Sequence, residues 1–276
     1  MTINCKGTLI DLSRPKIMGI INTTPDSFYD GGSSETLDLI LKKAEKFLSE
    51  GATFLDIGGY STKPGAENVS EDLELQRTVP VVEAIVKRFP EALLSVDTFR
   101  SKVARKTIEA GAHLINDVSG GSLDNQMFST IADLQVPYVL MHMQGTPQTM
   151  QNDPKYQDVT LEVNQFLLEK AKQLQQMKVS DIILDPGFGF AKTLDHNYEL
   201  FNKLELIGFG EFPVLVGISR KSMLYKLLNT TPKEVLAGTS ALNLLALQKG
   251  AKILRVHDVK EAQQMIKIHL ALTSNL

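Results

Sequence analysis

The amino-acid sequence predicts a closed (β/α)8 barrel of the TIM class with a short N-terminal hairpin, the whole chain from 1 to 276 forming one domain. Three observations carry that expectation. Eight short apolar segments alternate with amphipathic, helix-periodic ones, the pattern of parallel strands covered by helices. A Gly-Ala pair recurs where a helix gives way to a strand, at Gly51-Ala52, Gly111-Ala112 and Gly250-Ala251. Nearly every apolar segment ends on a polar residue able to face one shared opening. A doubly wound sheet of about six strands is the competing architecture, and the strand number disfavours it.

From the N-terminus, Ile3 to Leu12 reads as a hairpin placed to plug one end of the barrel. The first barrel strand is Ile17 to Ile21, ended by Asn22. Thr23 to Gly32 follows as a polar loop with Pro25 and paired glycines, too long for a tight turn and therefore a candidate lid. Next comes a helix with Leu37, Ile40, Leu41, Ala44, Phe47 and Leu48 at helical spacing, and Gly51 as its left-handed stop. The Gly-Ala pairs open the strands TFLDIGG, HLINDVSG and KILRVHD. Five residues past each Gly stand Asp56, Asn116 and Arg255, so equivalent strand ends present different polar groups to one mouth. The remaining strands end at Asp97 (ALLSVDTFR), His142 (VPYVLMHM) and Asp185 (IILDPG), and the last of them, FPVLVGISRK, reaches Lys221. Amphipathic segments such as Val79 to Phe89, Thr160 to Met177 and Val235 to Gln248 separate them as helices.

With 276 residues of which 43% are apolar, the chain can bury a large core. A net charge of -3 and a pI near 6.0 exclude the basic excess that phosphate tracking on a nucleic acid needs, so a small-molecule partner is expected. Cys5 stands alone, which rules out an intramolecular disulfide and fits a reducing compartment. No apolar run is long enough to span a bilayer, and MTINCKG lacks a basic segment followed by an apolar one. A soluble, cytoplasmic protein without membrane or nucleic-acid partners is expected.

One rim collects Asn22, Asp56, Asp97, Asn116, His142, Asp185, Lys221, Arg255 and His257. Each unpaired polar group in such a mouth costs about 1–3 kcal/mol, so a polar ligand is expected to complete the set. Carboxylates beside an amide and an ammonium suit a flat heterocycle with ring N–H and carbonyl groups. Asp185 either accepts two parallel hydrogen bonds from a guanidine-like edge or caps the turn at Pro186-Gly187. Arg255 with His257 calls for an anion such as phosphate or diphosphate, and Asn22 offers a hard oxygen for Mg²⁺. Ser222 precedes a helix from Met223 to Leu228, where free N–H groups hold a carboxylate or the serine is an ordinary N-cap. Lys221 also admits a Schiff-base reading, but the adjacent Arg220 points to anions or ring oxygens. His142 either packs beneath the site or touches the ligand.

Several long motifs carry a resemblance: MGIINTTPDSFYDGG, GGYSTKPGAE, LLSVDTFRSKVA, INDVSGG, MHMQGTPQTMQ, DPGFGFAKTLDHNYEL, GISRKSM and LRVHDV. Together they cover nearly the whole chain and resemble the dihydropteroate synthases, the pterin-binding enzyme family of folate biosynthesis. Tyr60 and Lys63 depart from that family's commonest pattern, which has Glu and Arg there. The resemblance implies condensation of 4-aminobenzoate with (7,8-dihydropterin-6-yl)methyl diphosphate, by a homodimer using Mg²⁺ and open to sulfonamides. It implies that Asp97, Asn116, Asp185 and Lys221 hold the pterin, Arg255 and His257 the diphosphate, and Asn22 the metal. Thr62, Pro64, Phe28, Phe190 and Ser222 would then shape the aminobenzoate site. Asp97 and the lid residue Asp26 would stabilise positive charge at the methylene as diphosphate leaves. A pterin-dependent methyltransferase and a non-catalytic pterin-binding paralogue are the alternatives.

Overall fold

The computed structural model describes residues 1–23, 34–60, 69–146, 148–150 and 154–273. Two short strands, β1 (Thr2–Cys5) and β2 (Thr8–Asp11), pair antiparallel around Lys6 and Gly7, both at positive φ, the geometry that matches strand twist in a two-residue hairpin. The barrel strands follow as β3 (Lys16–Asn22), β4 (Phe54–Gly58), β5 (Leu93–Asp97), β6 (Leu114–Asp117), β7 (Tyr138–Met141), β8 (Ile182–Asp185), β9 (Leu215–Val216) and β10 (Ile253–Val256). All are parallel, in the order β8-β7-β6-β5-β4-β3-β10-β9. A parallel bridge from Leu184 to Val214 joins the two ends and closes the barrel. The hairpin and the eight-strand count both agree with the sequence expectation.

The helices are α1 (Ser34–Ser49), α2 (Glu71–Arg88), α3 (Ser101–Glu109), α4 (Met127–Leu134), α5 (Val159–Gln176), α6 (Leu194–Asn202), α7 (Ser222–Leu227), α8 (Leu236–Gln248) and α9 (Val259–Thr273), with a 3₁₀ segment at Leu204–Gly210. Gly51, Gly111 and Gly250 sit at φ of 100°, 116° and 92°, a region that side-chain-bearing residues rarely adopt, which explains the recurring helix stop. One boundary differs from the sequence reading. The helix expected from Val79 begins eight residues earlier, at Glu71, because Ser70 accepts the Leu73 N–H as an N-cap and Glu71, Asp72 and Glu74 favour the first turn. Pro80 is therefore inside the helix, where it removes one backbone donor, rather than at its start.

Alternation along the strands divides the interior into two layers. Ile17, Ile21, Leu55, Ile57, Leu94, Val96, Ile115 and Leu140 point outward against the helices. Met18, Phe54, Leu114, Val139, Ile183, Leu215 and Ile253 point inward and meet Ile3, Cys5 and Leu12, so the hairpin plugs the floor as expected. With the floor filled, polar strand ends are left at the opposite rim.

Candidate active site

The positions five residues past each Gly-Ala stop converge. Arg255 on β10 donates from Nε to Asp56 Oδ2 on β4 at 2.6 Å and from Nη2 to Asp97 Oδ2 on β5 at 2.5 Å. Asn116 on β6 donates from Nδ2 to the same Asp56 oxygen at 3.1 Å. Strand register sets this up, since Gly58, Asp97 and Asn116 are successive partners across β4, β5 and β6. Asp56 Oδ1 and Asn116 Oδ1 are buried and have no hydrogen-bond partner among the described residues, as expected of acceptors facing a ligand site.

The electrostatics follow from burial. Burial pushes the Asp97 carboxyl up, against the pull of Arg255 and with added repulsion from Asp56. Burial works against the Arg255 charge, yet Asp56 and Asp97 hold its pKa above the ordinary value. Asp185 is also pushed up by burial and drawn back by Lys221, the Gly187 N–H and Arg255; it ends β8, and Arg255 lies near the same end of the parallel strand β10. Lys221 is lowered to about 8 by burial, opposed by Asp185.

Asp185 makes the cap that its sequence context allowed. Its Oδ1 accepts the Gly187 N–H at 2.7 Å, capping the turn, while the carboxylate sits in the mouth among the cations. Lys221 donates to the Phe188 carbonyl at 2.5 Å, and its Nζ lies 4.7 Å from the centre of the Phe190 ring. Phe190 belongs to a small apolar cluster with Val118, Met141, Met143 and Met150. Asn22 ends β3 beside Gly58, where a Cβ on that glycine would lie 3.7 Å from both Asn22 Oδ1 and Asp97 Cβ.

Several expectations need correction. Arg220 does not join Lys221 in the mouth: it grips Asp258 through Nη2 at 2.5 Å and Nε at 3.3 Å. The positive φ of Arg220, 58°, turns the backbone so that the two neighbours diverge. His257 is lowered to about 3 by burial and by Arg220, Arg255 and Lys43. Ser219 Oγ accepts the His257 backbone N–H at 3.3 Å and lies 3.0 Å from Nδ1. Ser222 is the first helical residue of α7 rather than its N-cap; that place is taken by Lys221, which makes no side-chain cap bond. Asp26, Phe28, Thr62, Pro64 and Lys63 lie outside the described residues.

His142 packs beneath the site, its ring edge-on to Phe166 at 5.0 Å and its Nδ1 3.0 Å from Lys192 Nζ. Burial, then Lys192, pushes its pKa well below the ordinary value. Sequence reading passed over Lys192, and it placed Asp56 at the rim without assigning it a part in the site. The spacing from Gly51 was the available signal for Asp56; a lysine two residues past a phenylalanine carries none.

Magnesium fits this donor set in one way. Among the described residues no cluster of acidic, histidine or cysteine side chains is built for a cation, and Asn22 supplies a single hard oxygen. Mg²⁺ is commonly held by one or two protein oxygens together with substrate phosphates, and Asn22 suits that mode.

Comparison with known proteins agrees with this architecture. Residues 18–257 match the family model described as "Pterin binding enzyme". The chain is 46% identical over 270 residues to the dihydropteroate synthase of Escherichia coli, covering 97% of this chain and 95% of that one. It is 44% identical to that of Haemophilus influenzae, covering 97% and 98%. The Yersinia pestis dihydropteroate synthase, solved with a sulfonamide drug complex, superposes with a TM-score of 0.93 at 45% identity over 100% of both chains. The Xanthomonas albilineans enzyme in complex with 7,8-dihydropteroate gives a TM-score of 0.89 at 38% identity over 99% of both. A match that spans the barrel from its first strand to His257, and takes in the carboxylates, amide and guanidinium gathered at the rim, places this chain in the pterin-binding enzyme family.

Proposed function

We propose that this chain is a dihydropteroate synthase, a transferase of folate biosynthesis. It joins 4-aminobenzoate to (7,8-dihydropterin-6-yl)methyl diphosphate, giving 7,8-dihydropteroate and diphosphate. The arylamine nitrogen bonds to the pterin methylene carbon; the methylene C–O bond breaks, its electron pair leaves on diphosphate, and the amine gives up one proton to solvent. The observation that carries the reading is the Arg255 bridge between Asp56 and Asp97, on a barrel nearly half identical to named synthases.

Residue roles follow from charge and reach. Asp185, Asn116 and Lys221 hold the pterin ring, and Asp97, joined by Asp26, stabilises the methylene as it becomes positive. Arg255 uses Nε and Nη2 on its two carboxylates, so its third nitrogen is left for the departing diphosphate. His257 stands beside it toward the diphosphate. Asn22 would hold Mg²⁺, which, when bound, offsets charge on the leaving group. Phe190 and Ser222, with Phe28, Thr62 and Pro64, receive the aminobenzoate. Residues 1–276 act as one domain. A homodimer is part of the proposal, supported by Leu245 on α8 and Ile268 and Leu272 on α9, which are exposed. A cytoplasmic location is also part of it; no helix among the described residues is long and apolar enough to cross a membrane.

The test is turnover. Purified protein with both substrates and Mg²⁺ is expected to release dihydropteroate and diphosphate in equal amounts, and neither when one substrate is omitted. Pterin binding without dihydropteroate formation would overturn the assignment.

A further inference from the structure

One buried lysine has no part in the chemistry above. Lys192 is 3% exposed, yet no carboxylate among the described residues lies within ion-pair distance of it. Its Nζ instead has three partners: the carbonyls of Gly187 at 3.0 Å and Phe190 at 3.1 Å, and Nδ1 of His142 at 3.0 Å. Lysine is almost never buried without such partners, because each donor taken from water must find an acceptor. A long polar side chain has thus been drawn inside to hold two backbone oxygens.

Those two oxygens bracket the turn that leaves β8. Asp185 lies at one end, with its carboxylate tied to the Gly187 N–H at 2.7 Å. Phe190 lies at the other, with its ring 4.7 Å from Lys221 Nζ. One backbone hydrogen bond closes the turn, from the Phe190 N–H to the Gly187 carbonyl at 3.1 Å, and its exit is unfavourable: Ala191 has φ of 47°, in the left-handed region. It also lies tight against the end of β7, where a Cβ at Gly187 would come within 2.0 Å of the His142 carbonyl oxygen. Lys221 fastens the middle of the turn through the Phe188 carbonyl, and Lys192 fastens both flanks.

We infer that Lys192 is a positioning residue: by holding the Gly187 and Phe190 carbonyls it sets where Asp185 meets the pterin and where Phe190 lies, without touching substrate. His142 completes the arrangement as the third partner of the amine. The inference rests on the synthase reading only for the identity of the ligand.

The test reads pterin binding apart from turnover, by calorimetric titration with 6-hydroxymethyl-7,8-dihydropterin, which lacks the leaving group. Lys192→Met keeps the apolar stem and removes the donors. The Phe190 carbonyl then loses its partner and the Gly187 carbonyl keeps only the Phe190 N–H at 3.1 Å, which is expected to weaken pterin affinity by about tenfold. Lys192→Ala leaves room for an added amine, so propylamine is expected to restore pterin affinity in that variant and to do nothing for Lys192→Met. A residue that merely fills the core would behave otherwise: Lys192→Met would melt earlier but bind pterin as wild type does, and propylamine would have no effect on Lys192→Ala. Either of those binding results overturns the inference. If neither variant folds, His142→Leu decides, since it removes one partner and leaves the lysine in place. Affinity several-fold below wild type upholds the reading, and wild-type affinity overturns it. A wild-type protein that binds pterin but makes no dihydropteroate would refute the synthase reading alone.

Discussion

Replacing Arg255 with Met separates the two jobs of the guanidinium, holding the site together and receiving an anion. In the folded chain Arg255 lies between Asp56 and Asp97, with side-chain exposures of 16%, 0% and 10% respectively, so solvent screens these pairs little. Removing one partner from a buried ion pair costs about 3–5 kcal/mol, because the remaining charge keeps its desolvation penalty. At about 2–4 °C per kcal/mol for a chain of this size, the melting temperature should fall by roughly 6–20 °C. The loss also has a sign with pH. In Arg255→Met, Asp97 keeps the burial that already raises its folded-state pKa and loses the guanidinium that pulls it down, so that pKa rises further. Stability associated with a raised pKa is fully present below the unfolded value and is lost as pH climbs through the folded value. The deficit against wild type should therefore be large at pH 8 and shrink toward pH 5. Urea denaturation at both pH values measures it. A deficit below about 1 kcal/mol, or one of equal size at both pH values, would refute the claim that this triad is a coupled buried cluster.

Three further outcomes are expected. Asp185→Ala removes both the pterin acceptor and the cap on Gly187, so calorimetry should find pterin binding abolished; unchanged affinity would contradict the assignment. The pH profile of kcat/KM should be bell-shaped, because Asp97, raised by burial, gains its charge only as pH rises, while Lys221, lowered to about 8, loses its charge as pH rises past that value. Asp97→Asn should flatten the acid limb and leave the alkaline one in place, and an acid limb unaltered in that variant would assign it to another group. Tyr138→Phe leaves buried Asp117 without the hydroxyl it accepts at 2.5 Å and should cost about 1–3 kcal/mol in chemical denaturation while sparing the KM for both substrates. A shift in either KM would show that Asp117 reaches the site.

The sequence disclosed the barrel because its strands are locally coded: apolar runs, helix stops and polar endings can each be read within a few residues. The Gly-Ala repeat went further, since it put Asp56, Asn116 and Arg255 at one level before any contact between them was known. What it did not disclose is which of these groups grip one another. Arg255 and Asp56 are 199 positions apart, and the sequence reading assigned Arg255 to the diphosphate and Asp97 to the pterin although the two touch. Arg220 shows the complementary failure, where a single left-handed backbone position reverses the direction of a side chain whose neighbour was judged correctly. The start of α2 was missed because the serine cap and three acidic residues that set it lie upstream of the amphipathic stretch.

The hairpin at the barrel floor has a consequence for how the molecule is made. Ile3, Cys5 and Leu12 are synthesised before every barrel strand, but the surface they seal is drawn from strands that extend to Ile253. That surface is complete only when β10 has arrived, so the hairpin finds its final neighbours late. Contacts between such distant segments slow folding, and until they form the inner layer is open to water from below. Shortening the N-terminus by a dozen or so residues should therefore affect refolding yield and aggregation before it affects the distant chemistry, because it uncovers the bottom of the core rather than altering the rim.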